Sequence, residues 1–118
     1  MLYRSKPAKV FLYGEPVDFR KQIPGLATIV DREFKGELFR GNWFLFVARD
    51  KKKAKILYWR ETGFAMWQFR LESDLFDLGR PRFNGKMQIC WRDLGRLLDG
   101  YNIFKGKSHR KIPPKRFS

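Results

Sequence analysis

Three apolar segments follow one another in the middle of the chain, and their composition predicts β-strands. They are Asn42–Arg49, Ala54–Arg60 and Phe64–Leu71. The first segment is apolar at both odd and even positions, which is typical of a central strand covered on both faces. The links between the segments, residues 50–53 and 61–63, are short enough for hairpins. The pattern therefore predicts an antiparallel meander of three strands.

A strand and a helix are predicted before the meander. Lys9–Tyr13 has the composition of a short strand, and the turn residues Gly14–Pro16 follow it. Asp18 is then expected to cap a helical turn, because its carboxylate accepts bonds from free backbone N–H groups. Apolar residues continue at the spacings of one helical face, namely Phe19, Ile23, Leu26, Val30 and Phe34. Pro24 interrupts this series, so the regular helix is expected to start near it.

The second half of the chain predicts one more hairpin and one more helix. Asn84-Gly85 is typical of a tight turn that requires positive φ, and it precedes the strand-like segment Lys86–Cys90. Trp91–Asp99 has one apolar side, and Gly100 is suited to end a helix there. The whole order predicts an α+β fold in a single small domain. We expect mainly an antiparallel sheet of four to five strands, with two helices.

Positive charge is concentrated in two parts of this 118-residue chain, whose formal net charge is +14. Residues 49–60 contain six basic side chains and one acidic, and residues 105–118 contain six basic and none acidic. We expect residues 1–104 to form the domain and residues 105–118 to form a flexible basic tail. Two such clusters favour a polyanion as partner, because each basic group near a phosphate releases condensed counterions.

The charge distribution predicts contacts to nucleic acid, mainly to phosphates. The predicted contacts are Arg49, Lys51, Lys52, Lys53, Lys55, Trp59 and Arg60 in the first cluster and Lys105, Lys107, Arg110, Lys111, Lys115 and Arg116 in the tail. Trp59 is included because an aromatic ring among basic residues can stack on a base. Arg20 and Lys21, at the start of the first helix, are candidates for a phosphate or for an acidic patch on a partner. The alternative is that these charges only solvate a hairpin tip, a chain end and a helix start.

No catalytic or cofactor site is predicted. Metal-dependent cleavage of nucleic acid needs converging carboxylates, and the twelve acidic residues are scattered along the chain. His109 lies in the tail, and Cys90, in a predicted strand, is expected to be a small buried residue. One cysteine and one histidine do not make a closed zinc site. We therefore expect a protein that is not an enzyme and takes no metal, cofactor or small-molecule substrate.

Neither a membrane nor secretion is indicated. The longest stretch without a charged residue, Gln22–Val30, is nine residues long, whereas a membrane-spanning helix needs about 20. The first residues lack the apolar run and the cleavage site of a secretory signal. We therefore expect a cytoplasmic location.

Three groups of residues, in order along the chain, resemble a family of bacterial transposon proteins. They are PVDFRK at residues 16–21 with Gly25 and Leu26, KILYW at residues 55–59 with GF at 63–64 and RLE at 70–72, and LLDG at residues 97–100. The family is that of the TnpB-type accessory proteins, encoded by the second open reading frame of insertion sequence family sixty-six. The motif residues carried over to this chain are Pro16, Asp18, Arg20, Lys21, Gly25, Trp59, Gly63, Phe64, Arg70, Leu71 and Glu72. Arg60 and Phe69 depart from the family pattern, which has Asp and Lys at these places.

The resemblance implies a role in DNA transposition beside a separate, larger transposase that carries the catalytic residues. It also implies a second small accessory protein. Together with the basic clusters, it gives the hypothesis of a non-catalytic accessory protein that binds DNA mainly through phosphates. Two alternatives stay open. In the first, the chain is a protein-interaction module that docks on the transposase or on the sister accessory protein. In the second, it is an RNA-binding protein.

Overall fold

Two helices and a five-stranded sheet make up the part of the chain that the computed structural model describes, residues 7–72 and 85–99. In chain order the elements are β1 (Val10–Val17), α1 (Ile23–Glu33), β2 (Trp43–Ala48), β3 (Lys53–Trp59), β4 (Phe64–Arg70), β5 (Lys86–Ile89) and α2 (Trp91–Leu98). The predicted α+β class is confirmed. The predicted domain boundary after residue 104 and the basic tail lie outside the described residues. Within those residues, no helix has the length and apolar character needed to cross a membrane.

The five strands lie in the order β4-β3-β2-β1-β5. The predicted antiparallel meander of β2, β3 and β4 is confirmed. β1 pairs with β2 in parallel, with Leu12 opposite Leu45, and its other edge pairs with β5 in an antiparallel arrangement. Parallel neighbours need a crossover connection, which α1 and its flanking loops supply. The sheet is therefore mainly antiparallel, with one parallel pair near its centre.

Apolar residues cover both faces of the sheet. All six residues of β2 are buried, as the prediction of a doubly covered central strand requires. On one face, alternate strand residues such as Phe44 pack with Leu26 and Val30 of α1. On the opposite face, Leu45 and its neighbours pack with Leu97 of α2. Since burial of each such side chain contributes about 1.5–3 kcal/mol, the two helices hold the sheet from both sides.

β1 differs from its predicted form. It does not end at the turn residues Gly14–Pro16 but continues to Val17, with an irregular register between Tyr13 and Val17. The N–H of Gly14 bonds to the carbonyl of Gly85 instead of forming a turn. Gly85 has a positive φ of 76°, as predicted for the second residue of the Asn84-Gly85 pair, whose first residue lies outside the described part.

The residues that precede the two helices differ in part from prediction. α1 begins at Ile23, one residue before Pro24, and its N-cap Gln22 makes no side-chain cap bond. As predicted, the Asp18 carboxylate accepts a free backbone N–H, that of Arg20, in the turn that precedes the regular helix. At α2, Cys90 is exposed rather than buried, and its sulfur accepts the N–H of Asp93. A sulfur at an N-cap satisfies a helix donor that water alone would otherwise serve.

Lys55 does not lie where the charge pattern placed it. It was predicted to contact phosphate, but it is only 2% exposed. Its position in β3 directs it to the α1 face, where Nζ donates to the carbonyl oxygens of Phe19 at 3.0 Å and Lys21 at 2.9 Å. The amine also lies 4.8 Å from the centre of the Phe19 ring. Lys55 therefore holds the loop between β1 and α1 in place, and its amine does not reach the surface.

Lys55→Met tests this role, because it replaces the buried amine by an apolar chain of similar length. We expect the amide N–H groups of the loop before α1 to exchange faster with solvent, since two of its carbonyls lose their donor. Burial lowers the pKa of Lys55 below 10.5, so the unfolded chain keeps this proton to higher pH than the folded chain. The free energy of unfolding therefore gains a contribution as the pH approaches 10.5. Urea unfolding should show this rise in the wild type and not in the variant.

Lys53→Met is the matched control, because Lys53 lies two residues earlier on the same sheet face and is half-buried. Its amine has a different partner, the Asp50 carboxylate at 3.7 Å. We expect loop exchange and the alkaline stability gain to be the same in this control as in the wild type. Equal loop exchange in the wild type and in Lys55→Met would show that the Lys55 amine does not hold the loop.

Candidate nucleic-acid interface

Two loops that are distant in sequence meet at one end of the sheet. Because β1 and β2 are parallel, both strands terminate at this end, with Val17 opposite Ala48. The loop after β1 and the turn after β2 together line a shallow depression of about 380 Å³, with Asp18 from the first and Arg49 from the second. We call this end of the sheet the basic end. Its basic residues are Arg20 and Lys21 from the first loop and Arg49, Lys51, Lys52 and Lys53 from the turn and the start of β3.

Asp18 organises the first loop through Arg20. The carboxylate accepts the backbone N–H of Arg20 at 2.9 Å, and the guanidinium donates to both of its oxygens. These bonds hold the pKa of the Asp18 carboxyl far below its ordinary value. The Arg20 side chain nevertheless stays 91% exposed. An exposed pair of this kind contributes little to stability, so its effect is to fix where the guanidinium is presented.

Gly25 determines the path of the Lys21 side chain. A Cβ placed at Gly25 would lie 3.3 Å from both Cβ and Cγ of Lys21, closer than most Cβ contacts. The lysine stem therefore crosses the first turn of α1 where only a hydrogen faces it. It enters a groove of about 420 Å³ between β1 and α1, with Thr28 and Arg32 further along the helix. Four residues of the family motif line this groove: Pro16, Asp18, Lys21 and Gly25.

The turn between β2 and β3 is also well defined. The N–H of Lys51 bonds to the carbonyl of Ala48 at 2.9 Å, and the N–H of Lys52 bonds to the Asp50 carboxylate at 2.9 Å. The bond from Lys52 is the main reason that the pKa of Asp50 is lowered. Lys51 has a φ of 62°, which costs an L-residue about 1–2 kcal/mol. The position favours glycine, yet it is occupied by a lysine, which is exposed at the tip of the turn.

Arg70 extends the basic end onto the outer strand β4. It lies opposite Lys53 in the β3–β4 register, and the N–H of Leu71 bonds to the carbonyl of Lys52 at 2.8 Å. Lys53 and Arg70 share the α1 face of the sheet, whereas the motif residue Glu72 lies beyond the end of β4. Sequence reasoning did not include Arg70 among the nucleic-acid contacts. Counting the register back from the short β3–β4 link would have placed it beside Lys53.

Other predicted contacts lie elsewhere. Trp59 and Arg60 are at or beyond the opposite end of β3 from Lys53, roughly 20 Å away at the usual rise of a strand. The Trp59 ring packs against Phe39 and Phe64, each with a centroid distance of 4.9 Å. The motif residues Gly63 and Phe64 belong to this far end as well. The six predicted tail contacts, Lys105, Lys107, Arg110, Lys111, Lys115 and Arg116, fall outside the described residues.

Acidic groups do not cancel the charge of the basic end. In residues 16–22, 48–53 and 70, the carboxylates are those of Asp18 and Asp50, against seven basic side chains. Both carboxyls have lowered pKa values, so both stay ionised at pH values below the range in which such groups ordinarily titrate. Their partners include Arg20 and Lys53. The excess of positive charge on a compact, exposed edge makes this end suitable for a polyanion.

Comparison with known proteins identifies the family to which the chain belongs. No solved structure matches it significantly. An uncharacterised protein, y4jC, of Sinorhizobium fredii (strain NBRC 101917 / NGR234) is 28% identical over 100 residues, which cover 85% of each chain. The model of the IS66 Orf2-like family matches residues 8–108, a span that includes all the described strands and helices. The chain therefore belongs to the family of IS66 Orf2-like proteins, the second-reading-frame products of IS66-type insertion sequences.

Proposed function

We propose that this chain is a non-catalytic accessory protein of transposition that binds duplex DNA through its basic end. The observation that carries the proposal is the meeting of the β1–α1 loop and the β2–β3 turn at one edge, with seven basic side chains and two carboxylates. Membership of the IS66 Orf2-like family connects the chain with insertion sequences. In this proposal, the bond-breaking chemistry belongs to a separate transposase, and a second accessory protein and a cytoplasmic location complete the setting.

The composition of the basic end favours phosphates over bases. Lysines act as point charges without the planar geometry that reads a base edge. They lie on a turn, and α1, the longer described helix, carries one basic residue, Arg32, near its C-terminal end. Arg32 is bonded to Glu33 at 2.8 Å. We therefore propose binding that depends little on sequence, with the six tail residues as further phosphate contacts.

Charge reversal at the tip of the turn tests this proposal. If about four to six phosphates contact the basic end, log affinity for a duplex should fall against log salt with a slope of about −3.6 to −5.4, before any tail contribution. Lys51→Glu with Lys52→Glu removes two contacts, so the slope should become less negative by about 1.8. Fluorescence anisotropy with a short duplex, titrated at several salt concentrations, measures both quantities.

Lys9→Glu with Lys35→Glu is the matched control, since both lysines are exposed and lie at the other end of the molecule. The change in net charge is the same, so an equal loss of affinity would assign binding to the overall charge and refute the basic end as the site. A wild-type slope near zero would refute DNA binding through phosphates altogether. Preference for single-stranded RNA over the duplex in competition would favour the RNA-binding alternative instead.

Replacement of Lys51 by glycine separates stability from binding. Lys51→Gly should raise the free energy of unfolding by about 0.5–1 kcal/mol, because glycine adopts positive φ without strain and loses part of this gain to chain entropy. The same change should weaken duplex binding, because a phosphate contact is removed. Urea unfolding and anisotropy on the same sample give both values.

Glu61→Gly provides the control for this experiment. Glu61 also has a φ of 62°, but it lies in the β3–β4 turn at the far end of the sheet. We expect a similar gain in stability with no loss of affinity for the short duplex. If Lys51→Gly binds the duplex as tightly as the wild type, the Lys51 side chain is not a phosphate contact.

A further inference from the structure

Arg20 differs from the lysines of the basic end in how closely it is held. Its side chain is 91% exposed, yet its Nε and Nη2 atoms donate to the Asp18 carboxylate at distances of 2.7 to 3.1 Å. Its backbone N–H donates to the same carboxylate at 2.9 Å. Because an exposed ion pair contributes little to stability, the folded state gains little from holding this arginine in one orientation.

The backbone on both sides of Arg20 is fastened as well. The carbonyl oxygens of its two neighbours, Phe19 and Lys21, accept bonds from the buried amine of Lys55 at 3.0 and 2.9 Å. The N–H of Lys21 also bonds to the carbonyl of Asp18 at 2.9 Å. The guanidinium is therefore held at both ends, by a fixed backbone and by an ion pair. A donor that is already ordered loses little conformational entropy when it binds a ligand.

The bonds to Asp18 leave one edge of the guanidinium open. A guanidinium presents its N–H donors in a planar fork, and Asp18 takes the side formed by Nε and Nη2. Within residues 7–72 and 85–99, the Arg20 guanidinium makes no hydrogen bond to any residue other than Asp18. The outer edge, formed by Nη1 and the second hydrogen of Nη2, thus presents two parallel donors to solvent. Two neighbouring acceptors in one plane match this pattern.

A duplex offers two such pairs of acceptors, the oxygens of a phosphate and the major-groove edge of guanine. The Asp18 carboxylate favours guanine. It balances the charge of Arg20 and repels a phosphate beside it, whereas a guanine carries no net charge. Its bonds to Arg20 hold the pKa of the Asp18 carboxyl far below the ordinary value, so this carboxylate stays charged. Lys51 and Lys52, by contrast, attract phosphate without needing a fixed orientation.

We propose that Arg20 reads one guanine in the major groove of a bound duplex, and that Asp18 is the positioning residue for this contact. The inference rests on the proposed function, since the lysines of the basic end hold the duplex through its phosphates. The β1–α1 loop and the β2–β3 turn border one depression, so a duplex held by the turn lies beside the loop. The result is a preference at one base pair, added to binding that otherwise depends little on sequence.

Selection of bound duplexes from a pool with randomised positions, followed by sequencing, tests this contact with the full chain. We expect the wild type to enrich guanine at one position. In fluorescence anisotropy, a duplex with that guanine should bind roughly tenfold more tightly than one with adenine there. A guanine analogue that lacks the ring-nitrogen acceptor of the major-groove edge should lose most of this advantage. Arg20→Lys keeps the charge without the planar pair of donors, so it should lose most of the preference and keep the salt slope.

Asp18→Asn separates positioning from charge. Loss of a negative charge alone should tighten binding to every duplex. An asparagine presents one oxygen in place of two, so the guanidinium also loses part of its hold and the guanine preference should fall. Asp50→Asn is the matched control, because Asp50 is the other carboxylate of the basic end and an asparagine there still accepts the N–H of Lys52. This control should bind every duplex more tightly and keep the full preference.

The possible failures are distinguishable. Duplex binding by the wild type with no base enriched refutes the guanine contact and leaves the proposed function standing. A preference that survives Arg20→Lys places the reading residue elsewhere, and one that survives Asp18→Asn removes the positioning role. A salt slope that becomes less negative by about 0.9 in Arg20→Ala, with the preference unchanged, makes Arg20 a phosphate contact. Absence of duplex binding removes the proposed function and this contact together. Since both side chains are exposed, thermal unfolding should show that the variants stay folded.

Discussion

The parallel pairing of β1 with β2 is the constraint on which the arrangement of this molecule depends. If β2 ran antiparallel to β1, the turn after β2 would lie at the opposite end of the sheet from the loop after β1. Parallel pairing instead brings the loop of Asp18–Gln22 beside the turn of Arg49–Lys52, since Val17 lies opposite Ala48. α1 serves this pairing twice, as the crossover that parallel strands need and as the cover of one sheet face. The charge concentration at the basic end is thus a result of topology.

Lys55 shows how the fold uses a charge inside the domain to position charges outside it. A buried amine is costly unless its donors are satisfied, and Lys55 satisfies two of them with the carbonyls of Phe19 and Lys21. The same bonds fix the loop that presents Arg20 and Lys21 at the surface. Burial removes water from the Lys55 amine and so lowers its pKa. The two bonds to the loop offset part of this cost. The buried Lys55 thus supports the exposed Arg20 and Lys21 of the same loop.

The sequence predicts the local parts of this structure better than the long-range ones. β2, β3 and β4 were predicted correctly because alternation and short links are local signals, and α1 because its apolar spacing is regular. The partner of β1 depends on residues more than 30 positions away, on which the pattern of β1 carries no information. Lys55 was assigned to the surface for the same reason, since its carbonyl partners lie 34 and 36 residues away. Trp59 and the lysines are close in sequence, but an extended strand separates them.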